Sequence, residues 1–116
     1  MKKFEGILIC TDLDGTLLSD ARSISDQNLE AIEYFKSEGG LFTFVTGRMP
    51  ATAAFVYEAI RPNAPFGCIN GGGIYDHRQE KFIWHTFLND GAVELVREVD
   101  LRLPDIAIQY NTEKAI

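Results

Sequence analysis

The chain has 116 residues, of which 46% are hydrophobic and 24% charged, and its formal net charge is -6 at pH 7. This composition is typical of one globular domain, or one domain plus part of another, and excludes disordered, collagen-like and coiled-coil chains. The acidic balance argues against nucleic-acid binding, because an acidic surface repels a phosphate backbone. No apolar run approaches the ~20 residues that span a bilayer, and the short run after Lys2 and Lys3 is not a signal peptide, so we expect a cytoplasmic protein without membrane contact.

Three short apolar runs predict strands that alternate with helices. The runs cover residues 7–10, 41–45 and 66–69, and the first is typical of a strand buried on both faces of a parallel sheet. Ser25 predicts the cap of a first helix, which Gly39 and Gly40 end, and Pro50 predicts the first turn of a second helix. The alternation indicates an α/β fold with a parallel sheet and helices on both faces.

The remaining segments predict turns and a final helix and strand. Residues 17–24 have a turn-rich centre and predict a small hairpin or flap, and residues 74–76 and 81–86 predict a second hairpin. Asp90 is placed to cap a last helix, and residues 106–110 predict one more strand. Because the pattern changes near residues 84–89, we place a boundary there.

Two cysteines and two histidines carry no metal or disulfide signature. Cys10 and Cys68 each fall in a predicted strand, so we expect two buried, reduced thiols. His77 and His85 fall in the predicted second hairpin, and two lone histidines do not form a zinc motif.

Polar clusters follow each of the three predicted strands, at residues 12–16, 46–48 and 70–73. Ligands of open α/β sheets bind beyond the carboxyl ends of the strands, so these clusters mark a candidate site. Asp12 and Asp14 would repel each other there unless a cation such as Mg²⁺ lay between them. Gly15 permits a sharp turn whose N–H groups can hold an anion, so the pattern favours phosphoryl transfer. The alternative is a turn-capping aspartate without chemistry.

Residues 10–18, Cys-Thr-Asp-Leu-Asp-Gly-Thr-Leu-Leu, resemble the first signature motif of the haloacid dehalogenase (HAD) superfamily, and residues 45–48, Val-Thr-Gly-Arg, resemble the second. Together with Ile-Asn-Gly-Gly at residues 69–72, they resemble the Cof-like sugar-phosphate phosphatases. The resemblance implies a Rossmann-like parallel core that is incomplete. Residues 1–84 would be its N-terminal part, with a flap near residues 17–24, and residues 85–116 would be the start of a truncated α+β cap.

The resemblance also implies roles for the two aspartates. Asp12 would be the nucleophile that forms an aspartyl-phosphate, and Asp14 would protonate the leaving oxygen and then activate water. The Asp12 carboxylate and the Asp14 main-chain carbonyl would bind Mg²⁺. The substrate would be a small phosphate ester.

Four positions would bind the phosphate in such an enzyme. Leu13 and Asp14 would donate main-chain N–H groups, Thr46 its hydroxyl and Gly47 its N–H.

Arg48 and Asn70 would lie near the substrate's leaving group. The alternatives are a surface charge for Arg48 and a plain turn residue for Asn70.

The chain departs from the family pattern in two respects. The family has a further lysine and a Gly-Asp-x-x-x-Asp-like cluster, whereas Lys81 and Lys114 are the only lysines after residue 46 and no Gly-Asp dipeptide occurs. One hypothesis is a truncated, poorly active phosphatase. The second is a non-catalytic phosphate- or metal-binding or assembly module completed by a second chain, as a homodimer or domain swap. A phosphomutase, which uses the same aspartyl-phosphate, is the third.

Overall fold

The computed structural model describes residues 1–112, which fall into two compact units, one of Met1–His85 and one that begins at Thr86. No helix within the described part is long and apolar enough to cross a membrane. The elements in chain order are β1 (Leu8–Thr11), α1 (Asp26–Ser37), β2 (Leu41–Phe44), α2 (Pro50–Ile60), β3 (Phe66–Cys68), a 3-10 turn (Ile69–Gly71), β4 (Gly73–Asp76), β5 (Lys81–His85) and α3 (Ala92–Arg102).

The first unit combines a parallel strand pair with an antiparallel sheet. β1 and β2 run parallel, and α1 forms the crossover that this direction requires. A parallel bridge between Val45 and Gly67 then connects the end of β2 to β3. β3, β4 and β5 form an antiparallel sheet, which contains the predicted second hairpin. The predicted α/β fold with a parallel sheet is confirmed.

Local sequence signals set the ends of the first two helices. Ser25 accepts a hydrogen bond from the Asn28 N–H at 3.2 Å and so caps α1. Gly39 follows that helix with φ +88°, a conformation that other residues adopt with strain. Pro50 opens α2, where its missing N–H is not needed. These three predictions are confirmed.

The core of the first unit lies between the helices and the sheets. The rings of Phe44 and Phe66 are fully buried and stack with centroids 4.4 Å apart. Leu13, just after β1, and Val56, on α2, are also 0% exposed. The loop after β1 is therefore fixed by the same core that holds α2.

β1 is far more exposed than its apolar sequence predicts. Leu8 is 54% exposed and Ile9 40%, and Cys10 is also exposed. The prediction of a strand buried on both faces is wrong here, because within residues 1–112 β1 pairs with β2 alone. For the same reason the predicted burial of Cys10 is wrong, whereas Cys68 is fully buried as predicted, and both are free thiols.

Three further local predictions change. Residues 17–24 form a turn in which the Ser19 N–H donates to the Ser23 carbonyl at 3.0 Å, without paired strands on either side. The residue that caps α3 is Gly91 rather than Asp90, and no side chain bonds to that end. Residues 106–110 form no strand, because the described residues supply no partner strand for them.

Candidate active site

The three predicted polar clusters meet at the carboxyl ends of β1, β2 and β3. The Val45 N–H donates to the Thr11 carbonyl at 2.8 Å, and the Thr46 N–H donates to the Gly67 carbonyl at 3.0 Å. The Asn70 N–H in turn donates to the Thr46 carbonyl at 3.3 Å. Main-chain bonds therefore tie together the loops that follow neighbouring strands, where ligands of such sheets bind.

The loop after β1 holds Asp12 at the surface. Its carboxylate is exposed, and Oδ2 accepts a hydrogen bond from the Thr16 hydroxyl at 3.0 Å. The loop folds back so that the Leu18 N–H donates to the Leu13 carbonyl at 2.8 Å, and Gly15 has φ +79° at the turn. Because the Leu13 side chain is 0% exposed, the core anchors the loop that presents Asp12.

Unused hydrogen-bond donors lie next to Asp12 in the sequence and at the same edge of the sheet. The main-chain N–H groups of Leu13 and Gly47 donate no hydrogen bond to any residue in the range 1–112, and the Asp14 N–H donates to its own carboxylate. Thr46 is 4% exposed, and its hydroxyl oxygen accepts from the Arg48 N–H at 3.2 Å, so its proton remains available to another acceptor. Such main-chain N–H groups and a hydroxyl suit an anion.

Arg48 bonds directly to Asp14. Arg48 Nε lies 2.8 Å from Asp14 Oδ2, and Nη2 lies 2.7 Å from Oδ1. The guanidinium beside it lowers the pKa of Asp14, and the carboxylate raises the pKa of Arg48. We expected Arg48 near a leaving group, and the pairing with Asp14 was missed. Opposite charges in loops after adjacent strands were the signal that could have indicated it.

Asn70 lies in a strained turn next to Gly47. Ile69, Asn70 and Gly71 have φ values of 56°, 50° and 91°, and this left-handed region is rare for a β-branched residue. A Cβ added to Gly47 would lie 2.7 Å from Asn70 Oδ1, so the glycine permits the amide to approach. The turn therefore brings a polar side chain beside the second motif.

The acidic residues fit only part of a magnesium site. Within residues 1–112 no group of three or more His, Cys, Asp or Glu side chains is arranged to hold a metal. Arg48 donates hydrogen bonds to both carboxylate oxygens of Asp14. The main-chain carbonyl of Asp14 therefore remains as the metal ligand that the sequence predicted. The Asp12 carboxylate has one oxygen free of Thr16. Two oxygen ligands suit Mg²⁺, which commonly keeps waters and binds substrate phosphate.

Within the described residues, no lysine after the second motif is seen to contact this cluster. Lys81 begins β5, and Lys114 lies outside the described residues.

The chain belongs to the haloacid dehalogenase-like hydrolase family, whose profile matches residues 9–115. It is 28% identical over 109 residues to the 5-amino-6-(5-phospho-D-ribitylamino)uracil phosphatase YitU of Bacillus subtilis, covering 94% of this chain and 38% of the relative. It is 33% identical over 70 residues to the pyridoxal phosphate phosphatase YbhA of Escherichia coli, covering 60% of this chain and 26% of the relative. The family predicted from the motifs is confirmed.

Solved structures share the fold. A haloacid dehalogenase-like hydrolase from Bacteroides thetaiotaomicron superposes with a TM-score of 0.72 at 23% identity, over 86% of this chain and 38% of that one. The chain spans less than two fifths of the length of these relatives. It therefore resembles phosphatases across most of its own length while matching only part of theirs.

Proposed function

We propose that this protein hydrolyses phosphoric monoesters of small metabolites, sugar phosphates among them, through a phosphorylated Asp12. The observation that carries the proposal is the exposed Asp12 carboxylate in a loop with an unused N–H donor at Leu13, at the same sheet edge as the unused Gly47 N–H and the Thr46 hydroxyl. The relatives are named as phosphatases of two chemically different phosphate compounds, which supports the phosphate group as the shared feature of recognition.

The proposed reaction has two displacements at phosphorus. In the first, a carboxylate oxygen of Asp12 forms a bond to phosphorus while the bond to the leaving alcohol breaks, and Asp14 gives the departing oxygen a proton. In the second, water attacks phosphorus while the bond between phosphorus and the Asp12 oxygen breaks, Asp14 takes a proton from that water, and inorganic phosphate leaves. Each cycle returns both carboxyl groups to their starting states.

The donors stabilise the charge that develops on the phosphoryl oxygens. The N–H groups of Leu13, Asp14 and Gly47 and the hydroxyl of Thr46 are held in place by the loops, so they need little reorganisation during the reaction. The Asp12 carboxylate and the Asp14 carbonyl would hold Mg²⁺, which supplies positive charge to the phosphate when bound.

We expect the 116-residue chain alone to turn over slowly. The resemblance implies a lysine and a distal acidic cluster that have no counterpart in this sequence. Loss of one preorganised electrostatic group costs about 10²- to 10³-fold in rate, and two groups are missing here.

A second candidate is an assembly module completed by another chain. The exposed apolar residues of β1 favour it, as does an open groove of about 440 Å³ whose lining includes Ile9, Phe35 and Phe42. A homodimer or domain swap would then cover these apolar residues. Sedimentation showing only monomers at high concentration would rule out the homodimer and the domain swap.

The test is hydrolysis of 4-nitrophenyl phosphate by the mass-verified chain, with Mg²⁺ and with EDTA. Asp12→Asn should abolish any turnover, whereas Asp90→Asn, at an exposed aspartate of the second unit, should not change it. Turnover that survives Asp12→Asn would refute the proposal. A specific activity that rises with protein concentration would favour the second candidate over a slow monomeric phosphatase.

A further inference from the structure

Asp14 and Arg48 form a two-point ion pair across the candidate site. The two contacts measure 2.8 Å and 2.7 Å, and they join residues 34 positions apart. Asp14 belongs to the loop after β1, and Arg48 belongs to the loop after β2. Among the residues that the structure describes, Arg48 makes every side-chain hydrogen bond to the Asp14 carboxyl.

Arg48 itself is fixed from several directions. Its N–H donates to Thr46 Oγ1 at 3.2 Å, and its carbonyl accepts from the Ile69 N–H at 3.1 Å. Its guanidinium donates from Nη1 to the Thr52 carbonyl at 3.3 Å and lies 5.5 Å from the centre of the Phe55 ring. Arg48 therefore connects the Asp14 carboxyl to the first turn of α2.

Contacts within the chain use three of the five guanidinium donors of Arg48. A guanidinium has five N–H donors in a planar fork, and Arg48 uses Nε, Nη1 and Nη2 on Asp14 and Thr52. The Asp14 side chain is 53% exposed, and ion pairs so open to solvent add little to stability. A contribution to folding therefore does not account for an arginine held so firmly on this carboxyl.

We propose that Arg48 is a positioning residue that orients the Asp14 carboxylate to take a proton from the attacking water and does not itself bind the phosphoryl group. The inference rests on the proposed function, because it assumes that Asp14 moves the protons. A carboxyl without this support rotates freely, and a misplacement of about 1 Å in a catalytic group lowers rates by about 10²-fold. The arginine of the second motif then acts through Asp14.

The decisive variant is Arg48→Lys, which keeps the positive charge and loses the fork. Arg97→Lys is the matched control, because Arg97 also pairs with a carboxylate, that of Glu94 at 2.8 Å, but does so on α3. With 4-nitrophenyl phosphate we expect Arg48→Lys to lower kcat about 10- to 100-fold. KM and the Kd for inorganic phosphate should stay within about twofold, and the urea midpoint should stay near that of the wild type. The control should match the wild type in all four.

Two arms of the test do not need turnover. A titration with inorganic phosphate, followed by the NMR signal of the Gly47 amide, gives the Kd in each variant. If Arg48→Lys binds phosphate about tenfold more weakly than the wild type, Arg48 is a phosphate ligand and the inference is overturned. The side-chain Nε–H signal of Arg48 should be visible in the wild type and lost in Asp14→Asn. Its absence from the wild type would also overturn the inference.

The two proposals fail in different ways. A wild-type chain that shows the Arg48 Nε–H signal but neither binds phosphate nor hydrolyses the ester refutes the proposed function, and the pair is then a surface ion pair. If Arg48→Lys hydrolyses the ester as fast as the wild type does, only the positioning role is refuted.

Discussion

Replacing Phe44 by alanine tests whether the core organises the loops of the site. The Phe44 ring is 0% exposed and stacks on Phe66 at 4.4 Å, and β2 ends at Phe44, just before the second motif. Burying an alanine in its place loses the transfer free energy of the ring and leaves a cavity, which costs about 3–5 kcal/mol. The lost stacking on Phe66 places the cost toward the upper end of this range. A chain of this size has about 5–15 kcal/mol in total, so the variant should be marginally folded.

Urea unfolding followed by circular dichroism measures this loss. With a slope of about 1–3 kcal/mol per M, the midpoint should fall by more than about 1 M. Phe87→Ala removes the same ring from a position that is 70% exposed, and its midpoint should stay near that of the wild type. If Phe44→Ala unfolds at the same urea concentration as Phe87→Ala, the core described here is not the one that stabilises the chain.

Three further predictions concern thiols, protons and packing. Burial raises the pKa of Cys68 to about 11, whereas Cys10 is exposed. Ellman's reagent at pH 8 should therefore titrate one thiol quickly and the second only after unfolding. Cys10→Ser should remove the fast phase. Burial lowers the pKa of His77 below its ordinary value of 6.5, so the unfolded chain binds the proton more readily than the folded chain. The free energy of unfolding should therefore fall as the pH drops below about 6.5. His77→Gln should flatten this dependence in unfolding curves measured at several pH values. A methyl group on Gly40 would overlap the buried Phe35 ring, so Gly40→Ala should lower the free energy of unfolding by about 1–3 kcal/mol in urea titrations.

The positions of the candidate loops and the ends of the first two helices were predictable because they depend on short stretches of sequence. Ser25 and Pro50 act within one helical turn, and their signals were read correctly. Asp12 and Thr46 follow strands whose parallel order places both at one sheet edge. The topology needed only the alternation of strands and helices, so local patterns were sufficient.

The failures depend on which neighbours a segment has. The apolar sequence of β1 specifies a strand that suits a buried position, but pairing with β2 alone leaves Ile9 and Cys10 exposed. Residues 106–110 carry a strand pattern, yet a strand forms only against a partner strand, and the described residues provide none. The pairing of Arg48 with Asp14 depends on two loops that are distant in sequence, so the signal lay in their opposite charges after adjacent strands and not in either loop alone.

Thr46→Val tests the role of the hydroxyl in the second motif, because the substitution removes the hydroxyl and keeps the packing of the side chain. Valine has nearly the shape of threonine, so the buried volume is kept, but the Arg48 N–H loses its acceptor and a bound phosphate loses a donor. Loss of one such donor corresponds to about 10²- to 10³-fold in rate, whereas Thr46→Ser keeps the hydroxyl and should stay within about tenfold of the wild type. Urea midpoints separate the two effects, because the orphaned N–H costs about 1–3 kcal/mol in stability, whatever the substrate. A valine variant that binds inorganic phosphate and hydrolyses 4-nitrophenyl phosphate as the serine variant does would remove Thr46 from the anion site and leave it a role in holding the Arg48 main chain.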